Sequence, residues 1–354
     1  MSAQYTISPV PSYRGVQMNN PTPNVSFIMT IYKRRFLKQS IDSVLAQTCR
    51  DFELVMVDDK SPENLYEVIR EYPWEKGYEI LPDGGRKWII DGISVRYYQN
   101  AEDIGEKDLV AAWNHAMEYA TGEWCVLASD DDLYDPGYLQ EMLRLHDKYP
   151  MCDLFHSRIA IIDAEGKWTR VGEERIEFET QVQMAYSRGI RRLEQRAPDF
   201  MFRKSTLDAM GGFVNFPLAW YSDDATWMAL SRHGCACSPQ ILFMFRQSGI
   251  NISSVYGKSV ERKLQAASMF KTWFRDFIKT AVTESDEDRC LIHGMADRVA
   301  EAVDNHIIRI IGNVQAFGEW AHLVRKATLS KSAKRACVYA RFQWLRALRM
   351  LWPF

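Results

Sequence analysis

The 354-residue chain holds about two domains' worth of sequence at ~150 residues each, so it can bury a large core without disulfide staples. Hydrophobic residues at 47%, charged residues at 25% and a net charge of −2 describe an ordinary globular protein and exclude disordered and fibrous classes. With 44 basic against 46 acidic side chains, no nucleic acid is expected as a partner of the whole chain, because phosphate neutralisation needs a basic surface. No uncharged apolar run approaches the ~18 to 20 residues needed to cross a bilayer, and the first 24 residues are polar and Pro-rich without a signal core. The expectation is a protein that begins and stays in the cytoplasm. Seven scattered cysteines, odd in number, agree with that placement, and Cys235 and Cys237 read as neighbouring strand positions rather than half of a zinc site.

Residues 1–24, with Pro9, Pro11, Pro21 and Pro23, read as a flexible lead-in. Val25 to Thr30 then reads as a buried strand, Ile41, Val44 and Leu45 as the face of a helix, and Phe52 to Val57 as a second strand. That β-α-β unit implies parallel pairing. The alternation continues with a helix around Leu65 to Tyr72, a strand at Ile93 to Tyr98, a helix from Asp108 to Ala120 and a strand at Glu123 to Ala128. Between Gly77 and Gly92, the turn-rich run Pro82-Asp83-Gly84-Gly85 suggests an inserted hairpin or loop. From about Tyr256 the pattern turns helical, with Met295, Val299, Val303, Ile307, Ile310, Val314 and Phe317 recurring every three or four residues. The expected fold class is α/β, an open sheet followed by a helical C-terminal region.

In an open parallel sheet ligands bind beyond the carboxyl ends of the strands. Those ends are acidic here, with Asp58-Asp59 after one strand and Asp130-Asp131-Asp132 after another. Three successive carboxylates repel one another, and a hard divalent cation such as Mn²⁺ or Mg²⁺ relieves that; a solvated acidic turn with one Asp capping the next helix is the alternative. After the first strand stands Thr30-Ile31-Tyr32-Lys33-Arg34-Arg35 instead of a glycine-rich phosphate loop, so a nucleotide must be held in another way. Tyr32 could stack on a base, Asp59 could accept from a base N–H, and a metal on Asp131 could hold a diphosphate.

Val25 to Tyr32, Ser40 to Thr48, Phe52 to Asp59 with Ser61, and Gly122-Glu-Trp through Asp130-Asp131 to Pro136 together resemble the inverting family 2 glycosyltransferases of the GT-A fold. The resemblance covers roughly residues 25–255, the expected transferase domain, and leaves residues 1–24 and the helical region 256–354 outside it. It implies a GT-A type, Rossmann-like, mostly parallel sheet and a donor linked to a nucleotide diphosphate, usually UDP, bound with Mn²⁺ or Mg²⁺. Carried over by position, Thr30, Tyr32 and Asp59 look like the uridine-binding set, Asp130 like a ribose contact, Asp131 like the principal metal ligand and Asp132 like a second one. Ser129 stands where many members carry Asp. Lys107 lies where members often place a basic residue near the base or diphosphate. Of the acidic pair Asp223-Asp224, the second matches the family's catalytic base and the first is a contact for acceptor or donor hydroxyls. Trp220 and Tyr221 are candidates to stack on an acceptor sugar or to pack the helix. Met210 to Phe213 resembles the family's glycine turn ahead of the acceptor region, and Arg246 to Ser254 a segment that folds over the donor.

Ala321 to Phe354 carries eight basic residues and no acidic one, leaving −10 on the rest of the chain, interleaved with apolar residues such as Val338, Tyr339 and Phe342. That is the pattern of an interfacial helix on an anionic membrane, which would suit a lipid-linked or glycan acceptor; packing against its own domain or a partner subunit is the alternative. The function expected is sugar transfer in surface polysaccharide or glycolipid synthesis. A sugar-nucleotide nucleotidyltransferase would need a glycine- and basic-rich triphosphate loop, and a non-catalytic nucleotide-binding scaffold would keep the sheet without turnover.

Overall fold

The computed structural model describes residues 24–72, 77–190, 194–249, 259–314 and 316–351, and the side chains of the last helix as far as Phe342. The expected lead-in therefore lies outside the described residues save for Asn24, as does the 250–254 part of the segment expected over the donor.

Mostly apolar runs build the middle of the sheet, because a strand buried on both faces has little solvent side to leave polar. β1 (Val25–Ile31) and β2 (Phe52–Asp58) are such strands, joined by α1 (Leu37–Leu45), which buries Leu37, Ile41 and Val44. After α2 (Tyr66–Arg70), the turn-rich insertion forms β3 (Glu79–Ile80) and β4 (Arg86–Ile90). β4 reverses at Asp91-Gly92, with φ of 47° and 80°, into β5 (Ile93–Gln99), so the insertion is an antiparallel edge of the sheet. α3 (Leu109–Met117) starts at Asp108, whose carboxylate accepts from the Val110 and Ala111 N–H groups.

β6 (Trp124–Ala128), β7 (Leu133–Tyr134), α4 (Tyr138–Lys148), β8 (Leu154–Ile162), β9 (Trp168–Val171), β10 (Phe178–Glu179), α5 (Gln181–Gly189), β11 (Phe200–Arg203), α6 (Lys204–Ala209), α7 (Ser222–Leu230) and β12 (Cys235–Arg246) complete the sheet and its cover. The order is β10-β12-β8-β11-β6-β1-β2-β5-β4-β3. β1 pairs in parallel with both β2 and β6, β2 with β5, and β8 with β12, while β11 runs antiparallel between β6 and β8. The sheet is mixed and mostly parallel, as expected. Alternate residues face opposite layers, Phe27 and Met29 on one side and Ile28 on the other.

The remainder is helical: α8 (Val260–Phe277), α9 (Asp286–Ile292), α10 (Met295–Gly312), α11 (Phe317–Lys326) and α12 (Lys331–Leu351). The predicted stripe from Met295 to Ile310 faces inward on α10, whereas Phe317 opens the next helix and is exposed. The core of these helices also contains Val182 and Ala185 of α5 and Ala225 and Met228 of α7, so the helical region is packed onto the sheet's own cover rather than standing apart. On α12, Ala333, Cys337 and Arg341 recur every four residues and face inward, and Arg341 Nη1 donates to the Val314 carbonyl at 3.1 Å. Val338, Tyr339 and Phe342 are exposed, so this helix packs on one face and leaves apolar side chains on the other. Among the described residues no helix is long and apolar enough to cross a membrane.

Candidate active site

Parallel pairing of β6, β1 and β2 brings three carboxyl ends to one edge, with Ile31 beside Asp58 and Met29 beside Ala128. Asp130 Oδ2 accepts from the backbone N–H of Tyr32 and of Lys33, both at 2.7 Å, which fixes the chain leaving β1 against the chain leaving β6. Ser61 Oγ donates to the Tyr32 carbonyl at 2.6 Å and so adds the end of β2. Thr30 is half-buried at the head of this junction, and Tyr32 presents a 41% exposed ring, beside Asp103, at its mouth.

Two of the expected ligand contacts are themselves tied into the chain by hydrogen bonds. The Asp59 carboxylate accepts from Asn100 Nδ2 at 2.7 Å, Ile104 N at 3.0 Å and Gly105 N at 2.7 Å, so it closes the loop ahead of α3. Asp132 accepts from Ser129 Oγ at 2.5 Å on one oxygen and from Arg246 N at 2.8 Å on the other. With a hydrogen bond on each oxygen it braces the acidic loop, and Ser129 is the residue that makes one side of this brace. Lys107 is 76% exposed with its ammonium 3.4 Å from Glu102, at the rim of a concavity of about 310 Å³ bordered by Asp108, Asn215 and Arg262.

Sequence reasoning passed over what lies underneath. Arg246, fully buried at the end of β12, donates from Nε to the Asp131 carbonyl at 2.8 Å, from Nη1 to the carbonyls of Asp163 and Ala164, and from Nη2 to Gln39 Oε1. It was legible only as the start of a loop motif. Lys33 is the other addition, a cation acting on Asp130 and Asp131.

Burial dominates the electrostatics. It pushes the Asp130 carboxyl up to about 6, with the neighbouring Asp131 charge adding to the rise. Burial likewise raises Asp131, against the opposing pull of Lys33, Ser129 and Arg246. An oxygen-only donor set with crowded, desolvated carboxylates fits a hard divalent cation. Among the described residues no three His, Cys, Asp or Glu side chains converge into a cage.

The second acidic centre opens α7. The chain enters it through Leu218, Ala219 and Tyr221 at φ of 61°, 54° and 70°, a left-handed backbone that non-glycine residues adopt only when their surroundings impose it. Tyr221 is buried, with its hydroxyl 2.7 Å from His306 Nδ1 and its ring stacked on Phe270, and Trp220 stacks on His306 at 5.6 Å. These rings clamp the loop to the C-terminal helices, the packing alternative of the two open to them. Asp223 and Asp224 keep 24% and 15% side-chain exposure and both meet Arg188 of α5, at 2.9 and 2.8 Å. Gln195 accepts from Arg188 at 2.7 Å, behind the acidic pair.

A family model described as glycosyl transferase family 2 matches residues 26–211, more than half of the chain. The chain belongs to glycosyl transferase family 2. EpsE of Bacillus subtilis (strain 168), which carries a glycosyltransferase name, is 27% identical over 148 residues, covering 42% of this chain and 47% of that protein. A PGL/p-HBAD biosynthesis glycosyltransferase of Mycobacterium tuberculosis is 27% identical over 149 residues, 42% of this chain and 48% of its own length. The chain thus spans about half the length of these relatives. In fold it is similar to the crystal structure of S. aureus TarS 1-349 in complex with UDP-GlcNAc, with a TM-score of 0.57 and 16% identity over 90% of this chain and 87% of that one.

Proposed function

We propose that this family 2 protein transfers a sugar from a UDP-linked donor to a hydroxyl of a glycan or lipid-linked acceptor, with inversion, as a step in surface polysaccharide synthesis. The observation that carries the reading is the pairing of two acidic centres: strand-end carboxylates beside an exposed Tyr32 ring, and a clamped carboxylate pair at the start of α7. TarS, whose fold the chain shares, was crystallised with UDP-GlcNAc, which supports a UDP-linked donor.

In this reading Tyr32 stacks on the base and Thr30 lines its pocket, while Asp59 sets the loop against which the uridine rests. Asp130 contacts the ribose, and Lys107 guards the rim. Asp131 would hold Mn²⁺ or Mg²⁺, which when bound supplies positive charge against the departing diphosphate. Asp224 takes the proton of the acceptor hydroxyl as that oxygen attacks the anomeric carbon, because a neutral hydroxyl is a poor nucleophile. Asp223 contacts sugar hydroxyls.

Lys331, Lys334 and Arg335 together with exposed Tyr339 and Phe342 on α12 support peripheral attachment to an anionic, cytosolic membrane face. Release of UDP from a panel of UDP-sugars, with wild type and Asp224→Asn, tests the catalytic assignment. The variant should bind UDP as wild type does and release it about 10² to 10⁴ times more slowly. Binding of UDP without release by wild type would favour a scaffold instead.

A further inference from the structure

We infer that Arg188 is a positioning residue, which sets the orientation of the Asp223-Asp224 carboxylates and thereby of the proton acceptor in the transfer reaction. The inference deepens the proposed function and rests on it. Arg188 lies on α5, 35 residues before the pair, with a side chain only 3% exposed. Its Nη2 donates to Asp223 Oδ2 at 2.9 Å, and its Nε lies 2.8 Å from Asp224 Oδ1 as an ion pair. Adjacent carboxylates repel one another, and the positive guanidinium between them offsets that repulsion. Its planar fork also reaches two acceptors with a fixed angle between them, which a lysine ammonium cannot do.

The guanidinium is itself held from behind. Nη1 donates to Gln195 Oε1 at 2.7 Å, and the group lies 5.3 Å from the centre of the Phe200 ring. Gln195 in turn approaches His156 Nε2 at 3.5 Å, and the His156 Nδ1 lies 3.4 Å from buried Asp199. The helix carrying Arg188 is pinned at its start, where Thr180 and Gln183 form a reciprocal cap and Thr180 Oγ1 donates to Asp288 of α9 at 2.6 Å. At its end Gly189 lies against Val299 of α10, so close that a Cβ there would sit 2.7 Å from Val299 Cγ2. Arg188 is therefore a rigid bracket between the acidic pair and the protein interior. A reacting group displaced by about 1 Å loses on the order of 10²-fold in rate, so the bracket has catalytic weight without touching substrate.

The test compares the full-length wild type with Arg188→Lys, Arg188→Met and Gln195→Met, reading melting temperature, UDP affinity by calorimetry, and kcat and KM for UDP release from UDP-GlcNAc and UDP-glucose. The expected result is a split: UDP affinity and donor KM within about 3-fold of wild type, and kcat reduced about 10²-fold in Arg188→Met with part of the loss recovered in Arg188→Lys. Gln195→Met, which leaves the ion pairs in place and loosens the bracket, should lose about 10-fold in kcat alone. If Arg188→Met does not fold, the split in the other two variants decides. A folded Arg188→Met or Arg188→Lys with wild-type kcat overturns the inference, and so does a parallel fall of kcat, UDP affinity and melting temperature, which marks a structural role only. A wild type that neither binds UDP nor releases it contradicts the proposed function itself, a result distinct from either.

Discussion

Asp130 ties two strand ends together: one of its oxygens accepts the backbone N–H of Tyr32, 98 residues earlier, and that of Lys33 next to it, both at 2.7 Å. Removing that oxygen takes this acceptor from two partly buried donors. Asp130→Ala should cost about 2 to 3 kcal/mol in urea unfolding and weaken UDP binding because Tyr32 is no longer held. Unchanged stability would show that water replaces the carboxylate at no cost.

Asp59 closes the loop at residues 100–105 by accepting three intrachain hydrogen bonds. A Cβ at Gly105 would lie 2.7 Å from its Oδ2. Gly105→Ala is therefore expected to lower stability by about 1 to 3 kcal/mol. Thermal unfolding checks this, and a melting temperature equal to wild type would refute the close approach.

The middle strands of the glycosyltransferase sheet were readable because they are mostly apolar runs, which have few alternatives once turn residues bound them. Val25 to Ile31, Phe52 to Asp58 and Trp124 to Ala128 appear within a residue or two of their expected limits. The strand-end carboxylates were readable as a group for the same reason, since topology alone places them. Their division of labour was not. Whether Asp131 or Asp132 faces a ligand depends on which oxygens Ser129 and the Arg246 N–H occupy, and Arg246 lies 114 residues away from the latter. The surroundings of Trp220 and Tyr221 could not be read, because aromatic residues beside an acidic pair look the same in sequence whether they face a sugar or His306 and Phe270. Arg188 left no local signal at all, as its partners are 35 and 36 residues away on another helix.

Gly189 and Val299 test how far the helical region supports the site. Gly189→Ala should overpack the α5–α10 contact by about 1 to 3 kcal/mol, and Val299→Ala in the same chain should recover most of that loss beyond its own cavity cost. Strict additivity of the two changes in chemical denaturation would show that the helices do not touch there.

The thiols give an independent check of burial. Cys290 is exposed, Cys49 is half-buried, and the other five are buried, with burial pushing the Cys152 thiol up to about 12. Ellman's reagent at pH 8 should find one fast thiol in the native protein, abolished by Cys290→Ser, and all seven after unfolding. Several fast thiols in the native state would contradict the packing of β12 and α12.

The central claim is a metal-assisted UDP site at the ends of β1, β2 and β6, and calorimetric titration of UDP into wild type and Asp131→Ala, with and without Mn²⁺, addresses it most directly. The account predicts that Mn²⁺ tightens UDP binding to wild type by at least about 10-fold and leaves Asp131→Ala unchanged. Failure of wild type to bind UDP under either condition, or an equal gain from Mn²⁺ in both proteins, would contradict it.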